Sequence, residues 1–201
     1  MKKSFILFCL LASAMSLNAA TITFSNTDSG WTSLLAVVDS SGNEIANGSG
    51  SVSIGYFTDE SAVASGDFSS FTQFGSSVAF GDGGAYNVAS IYSGEVSQAI
   101  AGGSSFIGQN IYTFATFAGD ALVAKSTTLF AADAPLFTTS MDIANDAGIT
   151  YLFGGQANSS IQIFGAGTVP SIRMAAPEPS TYAALSGLLA LSSVMLRRRR
   201  A

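Results

Sequence analysis

Asn47-Gly48-Ser49-Gly50-Ser51-Val52-Ser53-Ile54-Gly55-Tyr56 opens with turn formers and then sets Val52, Ile54 and Tyr56 at every second position, with small residues between them. A period of two marks a half-buried β-strand, because successive strand side chains point to opposite faces. The same pattern extends outward from this stretch. Upstream, Thr21 to Phe24 alternates, and Leu34 to Val38, the turn Asp39-Ser40-Ser41-Gly42-Asn43 and Glu44 to Ala46 read as a hairpin. Downstream, Asn87 to Tyr92, Gln109 to Phe117, Leu122 to Leu129, Thr150 to Phe153 and Ser160 to Phe164 are further short apolar runs between turn residues. One helix is expected where Asp67 caps a turn carrying Phe68, Phe71 and Phe74 at spacing three, its phenylalanines docking on the sheet. The sum predicts an all-β fold, a single β-sandwich or jelly-roll-like domain with one short helix.

This β-rich stretch, residues 21 to 175, lies between two segments of different character. Met1-Lys2-Lys3, the apolar run Phe5 to Leu11 and small residues up to Ala19-Ala20 have the order of a secretory signal peptide, with cleavage expected after Ala19 or Ala20. Cys9 does not mark a lipoprotein, since bulky Phe8 precedes it and cleavage there would leave almost no apolar region. At the other end Ala176-Pro177-Glu178-Pro179 leads into Ser180 to Leu196, seventeen residues with no charge and no proline, and then Arg197-Arg198-Arg199-Arg200. Seventeen helical residues at about 1.5 Å each barely cross a hydrocarbon layer of roughly 30 Å. The run therefore reads as a minimal transmembrane helix, with the arginines holding its end on the cytoplasmic side. Pro177 and Pro179 keep Glu178 in an extended, helix-resistant segment outside the membrane.

Pro-Glu-Pro, a short apolar helix and a terminal arginine cluster, in that order over Pro177 to Arg200, resemble the PEP-CTERM sorting signal of Gram-negative bacteria. The resemblance covers the tail alone, residues 176–201, and implies location rather than activity. It implies recognition of Pro177, Glu178 and Pro179 by an exosortase, a membrane-embedded cysteine transpeptidase or protease. It further implies export through signal peptidase and the secretion machinery, a transient stay in the inner membrane, and delivery to the cell surface or an extracellular polymer matrix.

Composition narrows what the body itself can do. It contains no cysteine and no histidine, which excludes disulfide staples, zinc clusters and Ser-His or Cys-His catalysis. Twelve acids face two bases, Lys125 and Arg173, for a formal charge of −10, so nucleic acid is not an expected partner. No cofactor motif occurs: Gly102-Gly103-Ser104-Ser105 lacks the lysine of a phosphate loop. Paired carboxylates suited to glycoside hydrolysis exist as Asp142 with Asp146 and Asp59 beside Glu60, and Asp39, Asn43 and Glu44 offer oxygen ligands for calcium. Each of these groups also reads as ordinary turn chemistry.

The expected function is a non-catalytic structural or adhesive role. A carbohydrate-binding module is the alternative, with Trp31, Tyr56, Tyr86 and Tyr92 as stacking platforms for extracellular polysaccharide. A glycan-acting enzyme with two facing acids ranks below it. The export reading predicts that N-terminal sequencing of the exported protein starts near Ala20 or Thr21, and an exported chain that retains Met1 would contradict it.

Overall fold

The computed structural model describes residues 19–27, 32–81, 88–100, 103–131, 137–163 and 167–178. The fold is all-β. Its strands are β1 (Ala19–Ser25), β2 (Ala36–Val38), β3 (Ser49–Phe57), β4 (Phe71–Phe80), β5 (Ser93–Ala99), β6 (Asn110–Phe117), β7 (Asp120–Leu129), β8 (Thr138–Asp142), β9 (Thr150–Phe153), β10 (Gln156–Ile163) and β11 (Gly167–Arg173). One short helix, α1, covers Glu60–Val63. The strands form three open sheets, in the orders β4-β3-β6-β7-β9, β5-β1-β8 and β10-β11-β2. Pairing is antiparallel except for β1 with β8 and β11 with β2. No sheet closes into a barrel, and among the described residues no helix is long and apolar enough to cross a membrane.

The Val52-Ile54-Tyr56 strand lies inside the largest sheet, between β4 and β6, and from Val52 on it is buried on both faces rather than one. Val52 and Ile54 point into a core shared with Ile22 and Phe24 of β1, Val96 of β5 and Met141 of β8. The hydroxyl of Thr113, which lies opposite Ile54, reaches the sulfur of Met141 at 3.1 Å and so links the two sheets directly. The other face carries Phe57, Phe71 and Phe114, whose rings stand 4.9–5.9 Å apart. Residues 58–70 fold over that face, inserting Val63 of α1 and Phe68, whose ring lies 5.0 Å from Phe114 and 5.1 Å from Phe153.

That double coverage explains the largest difference from the expected elements. Phe71 and Phe74 belong to strand β4, not to a helix capped by Asp67. A spacing of three puts two strand residues on opposite faces, and here both faces are buried: Phe71 joins the outer aromatic group while Phe74 enters the inner one beside Phe106 and Phe130. Asp67 instead accepts the amide of Ser69 in a turn, and the helix cap is Asp59, which accepts the amide of Ser61 at 3.0 Å. The expected strand over Asn87 to Tyr92 is a turn in its described part, and the strand starts at Ser93. The Asp39–Asn43 turn forms as expected, but only Val38 and Glu44 pair across it. β2 takes β11 as its parallel neighbour instead.

The three sheets meet at a buried polar junction. Asn26 is fully buried at the end of β1, and its side chain donates to Leu35 O at 2.8 Å and Ser90 O at 2.9 Å while accepting from Tyr92 N at 2.7 Å. Ser90 is also fully buried, with φ of 63°; its hydroxyl accepts Ile45 N at 2.9 Å, and its carbonyl additionally accepts Val37 N at 3.0 Å. Removing one partner of a buried hydrogen bond strands the other at roughly 1–3 kcal/mol. Asn26→Ala strands Leu35 O and Tyr92 N and leaves Ser90 O with Val37 N alone, so denaturant titration should show a loss of about 2–3 kcal/mol, reduced where water enters the gap. A loss of a few tenths would mean that this junction does not hold the sheets together.

Candidate functional site

β11 carries the chain out of the body through a segment that remains tied down. Met174 is 2% exposed, and its amide donates to Val38 O at 2.9 Å. Ala175 pairs with Ala121 at the start of β7, donating to its carbonyl at 2.9 Å and accepting its amide at 2.8 Å. This crossing from one sheet to another needs a bare backbone at Gly154, where a Cβ would lie 3.0 Å from both Ala121 O and Arg173 O. Pro177 is half-buried against the turn that follows α1. There Gly66 has φ of +80°, and a Cβ on it would come within 2.9 Å of Pro177 Cβ. Glu178 is exposed. Of the expected sorting residues, then, Pro177 is a packing residue and Glu178 is accessible, while Pro179 and Arg197 to Arg200 lie outside the described residues.

Two of the four expected stacking platforms are buried. Tyr56 is 4% exposed, packed edge-on to Phe106 at 5.1 Å, and Tyr92 is 0% exposed between Phe24 and Phe80. Neither ring offers a face to a sugar, because each fills the core. Trp31 and Tyr86 lie outside the described residues.

The candidate acids are occupied locally. Asp142 accepts Ala144 N and Asn145 Nδ2, each at 2.9 Å, and Asp146 accepts Asp142 N at 2.9 Å, so together they shape the turn after β8. Asp39 accepts the amides of Ser41 and Asn43 at 2.9 and 2.8 Å. Burial pulls its carboxyl upward, but the hydrogen bonds from Asn43, Ser41 and Gly42 outweigh this and hold it below the usual aspartate value. Among the described residues no group of three or more His, Cys, Asp or Glu side chains is placed to hold a metal ion.

Glu60 has different partners from its neighbour Asp59. Its Oε2 accepts Lys125 Nζ at 2.6 Å and the hydroxyl of Tyr112, while Lys125 lies 5.9 Å from the centre of the Tyr112 ring. Lys125, then Tyr112, hold the Glu60 carboxyl below the usual glutamate value; burial, then Glu60 itself, push the Tyr112 phenol well up. The pairing fastens α1 to β6 and β7. It also borders a depression of about 310 Å³ lined by Asn110, Ser126, Thr127 and Thr150 together with Gly148 and Leu152. A second depression of about 180 Å³ continues past Ser126, Thr127 and Gly148 to Asp146. Among the described residues, Glu60 is the carboxylate lining the first depression and Asp146 the one lining the second, where glycoside hydrolysis uses two facing acids.

The sequence reading missed this cluster, although one signal for it was available. Lys125 is one of two bases in an acidic body, so an acid partner for it was to be expected. Its partner lies 65 residues away, which no local pattern reveals. Comparison with protein-family models, curated proteins and solved structures finds no match.

Because the folded state lowers the Glu60 value, its contribution is complete above the ordinary glutamate range and is lost as pH falls through the depressed value. Glu60 is partly exposed, so Glu60→Gln should cost only about 0.5–1 kcal/mol near neutral pH. In urea titrations the gap between wild type and this variant should close at acid pH, and a gap independent of pH would remove the ion pair from the account.

Proposed function

We propose that this chain is an exported, non-catalytic protein of the Gram-negative cell surface or extracellular matrix, sorted and processed through its C-terminal signal, with a structural or adhesive body. The observation that carries the reading is the ordered tail: Pro177-Glu178-Pro179, seventeen uncharged residues and four arginines within 24 residues. The exposure of Glu178, three residues past the last paired residue Ala175, supports it, since a processing enzyme must reach that segment. The partners implied are signal peptidase, the secretion machinery, an exosortase-type enzyme and, before processing, the inner membrane. The body is read as a single sandwich-like domain, supported by the shared core and the Thr113–Met141 contact between two of its sheets.

A structural role is further supported by how the acids are used. Asp39, Asp59, Asp142 and Asp146 all accept local backbone amides and so serve turns and a helix cap. A second reading, carbohydrate binding, draws on the hydroxyl-rich depression beside Lys125, whose Ser, Thr and Asn groups match the donors and acceptors of a sugar. With a formal charge of −10 on the body, a neutral polysaccharide suits it better than an anionic one.

Replacing Pro177, Glu178 and Pro179 with Ala should leave membrane insertion intact and abolish conversion to the shorter form in a host with the sorting enzyme. The measurement is the mass of the surface-exposed protein. Equal processing of the native and substituted tails would reduce the motif to a linker before an ordinary anchor.

A further inference from the structure

The tail motif and the folded body share a residue. Pro177 is the first residue of the motif and also the side chain that fills the space over Gly66. Peptide-cutting enzymes commonly take their substrates as extended strands, pairing with backbone N–H and C=O groups on either side of the cut. Ala175 has neither group to offer, because both are bonded to Ala121. Met174 has spent its amide on Val38, and Pro177 has no N–H at all. Only Glu178 and Pro179 separate this docked segment from the apolar run that starts at Ser180. Two extended residues reach at most about 7 Å. An enzyme working at the membrane surface would therefore have at most these two residues between the docked segment and that run.

We propose that the body itself sets the upstream limit of processing: Met174 to Pro177 stay in the fold, and the cut falls on the C-terminal side of Pro177. This rests on the sorting reading above. The step breaks one peptide C–N bond beyond Pro177. The body keeps the carbonyl carbon, ending as a carboxylate where water accepts the acyl group or as an amide where an acceptor amine does, and the tail leaves with a new amino terminus. Docking at Gly66 thus acts as a ruler. It keeps the last crossing strand segment intact in the mature protein, and the chain that ties β11 to β7 is not trimmed away.

Two measurements on the full-length chain test this. First, intact-mass analysis of the surface form made in a host with the sorting enzyme should show a body that retains Pro177; a mature C terminus at Ala176 or earlier overturns the proposal. Second, the detergent-solubilised precursor, with no sorting enzyme present, is treated with a broad-specificity protease under native conditions. Gly66→Val cannot keep Pro177 in place, so cleavage between Met174 and Pro177 should accelerate by about tenfold, in step with more frequent opening of that segment. Pro177→Gly, which leaves the body sequence untouched, should move the rate the same way and guards against a Gly66 variant that merely folds poorly. Rates equal to native in both variants overturn the docking. A native chain that is never shortened in the host overturns the sorting reading and the limit with it, and the protease contrast tells that failure apart from a tail that is not docked.

Discussion

Three open sheets of five, three and three strands are joined by segments that pass between them, and the buried backbone groups of those segments need partners. The constraint that lets them meet is the Asn26–Ser90 junction. Asn26 uses one amide side chain to satisfy three main-chain groups from segments 9, 64 and 66 residues away. Ser90 adopts a left-handed conformation, unfavourable for a residue with a Cβ, and holds it because its hydroxyl, amide and carbonyl all find partners there. Two apolar cores, one around Ile54 and Leu122 and a smaller one around Ala36 and Val169, pack the sheets besides these polar contacts.

The five-stranded sheet shows how few covering residues are needed once the junction is made. On its inner face the neighbouring sheet supplies the cover. On its outer face the connection between β3 and β4 does so, with Val63 and Phe68 as its apolar inserts and the Glu60 pairing to Lys125 and Tyr112 as its fastening. Gly55 lies beneath this cover, where a Cβ would fall 2.7 Å from the ring of Phe71, so the aromatic layer comes down directly on the strand backbone. The same connection contains Gly66, against which Pro177 rests. The exit of the chain is thus built on the element that closes the outer face, and the start of the tail is coupled to the packing of the aromatic residues beneath it.

Much about this protein was decided by sequence alone. The period-two stretch at Val52, Ile54 and Tyr56, the turn at Asp39 to Asn43 and the apolar runs ending at Phe117 and Leu129 are local patterns, written in neighbouring residues and read from them. The order of Pro177-Glu178-Pro179, the uncharged run and the arginines is likewise a linear pattern, and so is the absence of histidine and cysteine from residues 21–175. Tertiary structure decided whatever depends on partners far along the chain. Spacing three at Phe71 and Phe74 suits a helix with one buried stripe or a strand buried on both faces, and only the cover from residues 58–70 selects the strand. Tyr56 and Tyr92 resemble surface platforms in sequence but fill the core, because the sheets close over them. Lys125 found Glu60, and Pro177 found Gly66, across separations at which no periodicity or spacing carries information; burial and pairing are properties of the packed chain as a whole.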